Sequence, residues 1–165
     1  MEMTRPARTL AAAATLALAA ACDPPLPPRS TPGQPVRVTP AEFQQLRWIV
    51  GDWRGSGSGQ APFYERYRFA DDSTLVVDSF ADSAFASVTE SARFELRGGR
   101  LSGGEGRWAA SQITSRWVTF SPVSRARNVF TWRYGSRDRW TARLSWPAAD
   151  TQPARSATYL MERVR

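Results

Sequence analysis

From residue 51 onward, apolar and polar residues alternate in short runs that turn-forming residues separate. The clearest pair of runs is Asn128–Tyr134 and Arg139–Trp146, which flank Gly135-Ser136-Arg137-Asp138. Two runs in which apolar and polar residues alternate, joined by a short turn-forming segment, predict a β-hairpin. Because no long helical pattern competes with these runs, we predict an all-β domain.

The other predicted strands have the same pattern and are also bounded by turn signals. Asp71-Asp72-Ser73 and Gly98-Gly99 predict tight turns between neighbouring strands. About eight to ten antiparallel strands in succession favour a closed barrel or a sandwich, and closure removes exposed strand edges. These further strands are predicted at Phe63–Phe69, Thr74–Ala81, Thr89–Arg97, Leu101–Trp108, Ile113–Phe120 and Ser156–Val164.

A short helix precedes the strands. Thr39 is placed as its N-cap, Pro40 occupies the first helical position and Glu42 stands three residues after the cap, as in a capping box. Phe43 and Leu46 share one face at helical spacing, and Gly51 is placed to end the helix. We predict that this apolar face covers one end of the barrel.

The N-terminus has the features of a secretory signal. Arg5 and Arg8 precede an uncharged apolar run over residues 9–20, which is too short for a stable transmembrane helix. The small residues before Cys22 resemble the lipobox of bacterial lipoproteins, with Ala19 where that motif usually has Leu. The resemblance implies a signal peptide over residues 1–21 and a lipid on Cys22. The alternative is an ordinary signal-peptidase site beside an incidental cysteine.

A proline-rich segment follows the cysteine. Residues 22–38 favour extended geometry and predict a stalk, which leaves residues 39–165 as the barrel domain. The expected location is the bacterial cell envelope, with the protein anchored to a membrane through the lipid on Cys22 and facing the periplasm. The choice between the inner and the outer membrane stays open.

The composition excludes several chemistries. The chain has no His and one Cys, so imidazole bases, Cys-His triads and multi-cysteine metal sites are excluded within it. The net charge is +7, and all 22 basic residues are Arg. Such a charge attracts nucleic acid or anionic lipid in general, but the envelope location argues against nucleic acid. We expect neither a metal nor a nucleic-acid partner, and the sequence does not predict an oligomeric state.

Three segments carry a family resemblance: Trp48-Ile49-Val50-Gly51-Asp52-Trp53-Arg54-Gly55, Phe130-Thr131-Trp132 and Tyr159-Leu160-Met161-Glu162-Arg163. Together they resemble a bacterial lipoprotein domain family with a lipocalin-like (calycin) barrel, over residues 43–165. The resemblance implies a single up-and-down barrel in which an Arg of the last strand lies over a Trp of the first, at the closed end. By position these are Arg163 and Trp53. Distant nitrobindin-like relatives bind haem through a His, which this chain lacks, so we expect no cofactor.

Candidate ligand contacts come from residues that share a strand face with aromatic neighbours. Glu65 lies on one face with Phe63 and Tyr67, so an aromatic-lined interior would also hold this carboxylate. Either it pairs with an inward Arg in the core or it contacts a ligand. The further candidate ligand contacts are Tyr67, Arg116, Asn128 and Trp132. Arg116 is the first choice of partner for Glu65 if it faces inward, and the alternative is that it lies outward.

These patterns lead to one functional prediction and two alternatives. The prediction is an envelope lipoprotein whose barrel binds a small apolar or amphiphilic ligand. The first alternative is a structural or partner-binding barrel with a filled interior. The second is an enzyme of the isomerase or cyclase kind, for which Glu65 is the sole candidate. Since no catalytic constellation is apparent, we do not expect an enzyme.

Overall fold

The computed structural model describes residues 33–57, 59–149 and 151–165, and in these residues the chain forms a closed antiparallel barrel. Each strand pairs with its neighbours in sequence, and β1 pairs with β10 to close the barrel. The predicted all-β, up-and-down barrel is therefore confirmed. The strands are β1 Gly51–Gly57, β2 Gln60–Asp71, β3 Thr74–Phe80, β4 Val88–Arg97, β5 Arg100–Gly103, β6 Trp108–Ile113, β7 Trp117–Pro122, β8 Val129–Ser136, β9 Arg139–Trp146 and β10 Arg155–Arg163.

The predicted helix is present, but it tightens after one turn. Helix α1 spans Pro40–Gln44 and continues as a 3-10 helix over Gln45–Ile49. Its start is a capping box: the backbone N–H of Glu42 donates to Thr39 Oγ1 at 3.2 Å, and the Glu42 carboxylate accepts from the Thr39 N–H at 2.8 Å. Its apolar side chains are buried in the barrel core, so this segment closes one end.

Two strand predictions were wrong in their boundaries. The stretch Leu101–Trp108 contains a turn over residues 104–107, which separates β5 from β6. The stretch Ile113–Phe120 is also interrupted, because Thr114 Oγ1 accepts from the backbone N–H groups of Arg116 and Trp117, both at 3.1 Å. A hydroxyl that bonds the backbone two and three residues on makes a turn. This turn places Arg116 just before β7, where its carbonyl accepts from the Tyr134 N–H of β8 at 2.7 Å.

Trp53 and Arg163 lie together at the helix end, where the family resemblance placed them. The Arg163 guanidinium carbon lies 4.2 Å from the Trp53 ring centroid, within cation–π range. Trp53 is fully buried, and its indole N–H donates to the Ile49 carbonyl at 2.7 Å. Arg163 also donates to the Val50 carbonyl at 3.1 Å. The guanidinium occupies the space where a Cβ at Gly51 would lie, so this position requires glycine.

The weakest seam of the barrel lies between β5 and β6, which share the pairs Ser102↔Ala109 and Gly103↔Trp108. Residues 33–38 lie along this seam. The Val36 N–H donates to the Ala110 carbonyl at 2.9 Å, and the Val38 N–H donates to the Gly99 carbonyl at 2.8 Å. This end of the predicted stalk is therefore packed on the barrel.

The remainder of the predicted stalk, the predicted signal peptide and Cys22 lie outside the described residues. Among the residues that are described, no helix has the length and apolar character needed to cross a membrane.

The burial of Trp53 predicts a large loss of stability on truncation. We expect Trp53→Ala to lower the free energy of unfolding by about 3–5 kcal/mol, because it leaves a cavity and removes the donor to the Ile49 carbonyl. Urea unfolding followed by far-UV circular dichroism measures the change. Trp146→Ala is the matched control, since Trp146 is partly exposed, and it should cost less than half as much. Equal losses for the two variants would contradict the assigned role of Trp53.

Candidate functional site

The two ends of the barrel differ in their connections. Tight turns and the helical segment lie at the closed end, whereas the opposite, open end has the longer loops as well as the short turn over residues 104–107. Access to the interior is therefore expected at the open end. The turns of the closed end are residues 72–73, 98–99, 114–116 and 137–138, and the longer loops of the open end are residues 81–87, 123–128 and 147–154.

The middle of the barrel is filled by aromatic side chains. Trp132 lies at its centre, with its ring centroid 4.7 Å from Phe94, 5.3 Å from Phe120 and 5.7 Å from Tyr67. These four side chains are buried, and their rings pack mostly edge to face, the arrangement that aromatic pairs favour. They form a floor that separates the closed end from the open half.

Above this floor the inner wall combines small residues with aromatic rings that remain partly exposed. We call this surface the mouth, and define it by Phe63, Glu65, Ala92, Phe130, Ala142 and Tyr159. Ala142 lies across from Trp132 on β8 and Tyr159 on β10, where a larger side chain would fill the interior. The Phe63 ring lies over Gly55 and meets Tyr159 edge to face at 5.4 Å. Solvent therefore reaches an apolar inner surface at this end.

Glu65 is the ionisable side chain set deepest in the mouth. Its Oε2 accepts a hydrogen bond from the Tyr67 hydroxyl at 2.7 Å. Burial raises the pKa of Glu65 above its usual value, the Tyr67 hydrogen bond lowers it, and the nearby Glu90 charge adds a smaller upward effect. Glu65 has no ion pair with any described residue. Its free oxygen is thus available to a group that enters the mouth.

Tyr67 fixes the direction of this hydrogen bond. Burial, and then the charge and hydrogen bond of Glu65, raise the pKa of Tyr67 well above its usual value. The phenol therefore stays protonated and acts as the donor. The pair presents one carboxylate oxygen already bonded and one that is not.

The other predicted ligand residues do not converge on Glu65. Arg116 is exposed in the turn after β6, with its guanidinium carbon 5.2 Å from the Tyr134 ring centroid, so its predicted inward position beside Glu65 was wrong. Asn128 precedes β8 and contributes its backbone carbonyl, which accepts from the Trp108 indole at 2.9 Å. Trp132 belongs to the floor.

One inward acid was missed from the sequence. Glu90 pairs in register with Ser79, which pairs with Glu65, so both carboxylates belong to the inner face of adjoining strands. Glu90 precedes Ala92 and Phe94 at a period of two, which was the available signal. A bulge between Ser79 and Phe80 separates this row from the loop.

The loop between β3 and β4 is held against the outer wall. Phe85 adopts a left-handed backbone conformation (φ 52°), which is costly for a residue with a Cβ. Its ring packs 5.0 Å from Phe80 and 6.0 Å from Tyr64, and the Arg66 guanidinium lies 5.2 Å from it. Arg66 is fixed in turn by two hydrogen bonds to Asp52, at 2.6 and 2.8 Å. These contacts draw Phe85 to the outside of the barrel, away from the mouth.

Comparison with known proteins does not identify a family for this chain. No protein-family model matches the sequence, and no curated protein matches it. Among solved structures, EF1p2_mFAP2b bound to DFHBI is similar over 76% of this chain and 100% of that chain, with 8% identity and a TM-score of 0.39.

The raised pKa of Glu65 predicts how stability depends on pH. A carboxyl with a higher pKa in the folded state stabilises the fold below its unfolded pKa, about 4.3 for Glu, and this contribution is lost as pH rises through the folded value. Glu65→Gln, which stays neutral, should therefore be more stable than wild type at pH 7, and the difference should shrink at pH 4. Urea unfolding at both pH values measures it. Glu95→Gln, on the outer face of β4, should not show this pattern. An unchanged difference at the two pH values would rule out a desolvated Glu65.

Proposed function

We propose that this protein is a lipid-anchored lipoprotein of the bacterial cell envelope whose barrel binds a small apolar or amphiphilic ligand in the mouth. The observation that carries the ligand proposal is the partly exposed aromatic wall above a packed floor, with Glu65 set into it. Apolar walls with a few placed polar groups are typical of small-molecule sites. The polar part of the ligand would meet Glu65, and the apolar part would contact Phe63, Phe130 and Tyr159.

The packed floor limits the size of the ligand. Tyr67, Trp132, Phe94 and Phe120 fill the centre, so a ligand enters the open half and does not pass towards the closed end. The same packing favours the second candidate, a barrel with a structural or partner-binding role and no ligand. The two candidates differ in whether the mouth holds a molecule.

Filling the mouth separates these candidates. We expect Ala142→Phe to leave a folded barrel that no longer carries ligand, because the added ring occupies the space beside Trp132 and Tyr159. The measurement is native mass spectrometry of protein purified from its own envelope, with wild type giving an additional bound mass. Thr141→Phe, one residue earlier on the outer face, is the control and should retain that mass. A wild-type protein without any bound mass would favour the filled structural barrel.

The anchoring proposal is supported by the small residues before Cys22 and by the charged and apolar segments that precede them. We expect Cys22→Ala to move the protein out of the membrane fraction or to leave it as unprocessed precursor. Mass spectrometry of the mature wild-type N-terminus is the deciding measurement, and a diacylated Cys22 is the expected result. An unmodified N-terminus at another residue would contradict lipidation and leave the ligand proposal untouched.

A further inference from the structure

We propose that the mouth selects ligands that bear a cationic group, an amine or an amidine, on an apolar or aromatic body, with the cation held by Glu65. This inference rests on the proposed function and names the chemical class of its ligand. It is carried by the charges that face the mouth, by the bonding of Glu65 and by the rings around it.

Around Glu65, the charged side chains of the inner face have one sign. Glu65, Ser79 and Glu90 form one row across β2, β3 and β4, and neither acid has an ion pair with a described residue. In a chain with a net charge of +7, an inner row with two acids is opposite in sign to the chain as a whole. A cation is attracted to such a row, whereas an anion is repelled.

The Arg side chains of the inner face are engaged elsewhere. Arg163 lies at the closed end, stacked on Trp53 and bonded to the Val50 carbonyl. Arg155 has the inward position at the outer end of β10, paired with Trp146, and its guanidinium carbon lies 4.7 Å from that ring centroid. The β1 neighbour of Glu65 is Trp53 and its β3 neighbour is Ser79, neither of which brings a charge.

The bonding of Glu65 leaves room for one more partner. Tyr67 donates to Oε2, and the cost of burying the carboxylate is not offset by a protein cation. A buried charge is costly unless it is paired, so an ammonium group at the free oxygen would relieve a penalty that the empty barrel carries. A neutral hydroxyl group would form one hydrogen bond with Glu65 but would not neutralise the buried negative charge.

The surrounding rings suit the same ligand. The Tyr67 phenol holds Glu65, and its ring packs on Trp132 at 5.7 Å, so a cation at Glu65 would lie beside aromatic rings that favour positive charge. The body of the ligand would contact Phe63 and Tyr159 above. A metal ion is a poorer candidate, because among the described residues no group of three or more acids, His or Cys is placed to hold one.

A matched series of small aromatic compounds tests the proposal. We choose 2-phenylethylamine, 2-phenylethanol and phenylacetate, which share a ring and differ in the charge of the polar group. The full-length protein is titrated with each, and binding is followed by calorimetry and by the tryptophan indole signals in NMR. We expect the amine to bind roughly tenfold tighter than the alcohol, because a charge-assisted hydrogen bond is stronger than a neutral one, and we expect the anion to bind weakest.

Substitutions test whether the two acids, Glu65 and Glu90, cause the preference for the amine. Glu65→Gln should weaken binding of the amine roughly tenfold and leave binding of the alcohol nearly unchanged. Glu90→Gln should weaken binding of the amine less, and because Glu90 is exposed this variant tests the row without altering the buried carboxylate. Glu95→Gln, on the same strand as Glu90 but on the outer face, removes the same charge and should change nothing.

The pH dependence supplies a second readout. An alkylammonium stays charged to about pH 10, so the ligand itself does not titrate between pH 4 and 7. The titratable and charged protein groups that face it are Glu65, Glu90, Tyr67, Tyr159 and the more distant Arg155. Amine binding should strengthen as pH rises and Glu65 ionises, and Glu65→Gln should reduce this dependence. Equal affinity for the alcohol and the amine, unaffected by Glu65→Gln, would overturn the cation preference while the mouth remained a ligand site. If none of the three compounds binds while the purified protein carries a bound mass that Ala142→Phe loses, the cation preference is overturned and the mouth remains a ligand site.

Discussion

The stacking of Arg163 on Trp53 joins the last strand of the barrel to the first. In a barrel whose strands follow chain order, the first and last strands pair although they are the farthest apart in the sequence. The entropy cost of bringing them together is therefore the largest of any strand pair. Arg163 offsets this cost by contacting the indole at 4.2 Å and by donating to the Val50 carbonyl at 3.1 Å. Trp53 in turn donates to the Ile49 carbonyl at 2.7 Å, which holds the end of the 3-10 helix. One cluster therefore fixes both the closure and the covering of the closed end.

Because this cluster stabilises the closed end, the open end of the barrel contributes less to stability. The core from α1 up to Trp132 is packed and contains the largest buried side chains. With stability concentrated there, the open half tolerates small residues such as Ala142 on its inner face and a carboxylate at Glu65. A buried acid without a paired cation is unfavourable for folding. Its position above the floor, where solvent still reaches the wall, limits that cost.

The parts of the structure that depend on local chemistry were predictable from the sequence. The period-two runs gave most strands, and the Thr39–Glu42 capping box gave the helix start. The inward face of Glu65 followed from its spacing to Tyr67, since neighbours two apart share a strand face. The turn at Thr114 was missed because a side-chain hydroxyl replaced the usual Gly or Pro signal. Arg116 therefore does not share the inner face of Val118 and Phe120, with which the alternation had grouped it.

The inward position of Glu90 was missed from the sequence for a different reason. Glu90 faces inward because β4 pairs with β3 in a register that aligns it with Ser79, and a bulge at Ser79 and Phe80 interrupts that register. Alternation alone cannot set the register between two strands, since a shift by one residue exchanges their faces. The electrostatic character of the mouth thus arises from tertiary pairing. Because the two acids reach one row through three strands, a ligand that engages Glu65 also senses the charge of Glu90, and the preference for a cation becomes a property of the folded barrel rather than of a single residue.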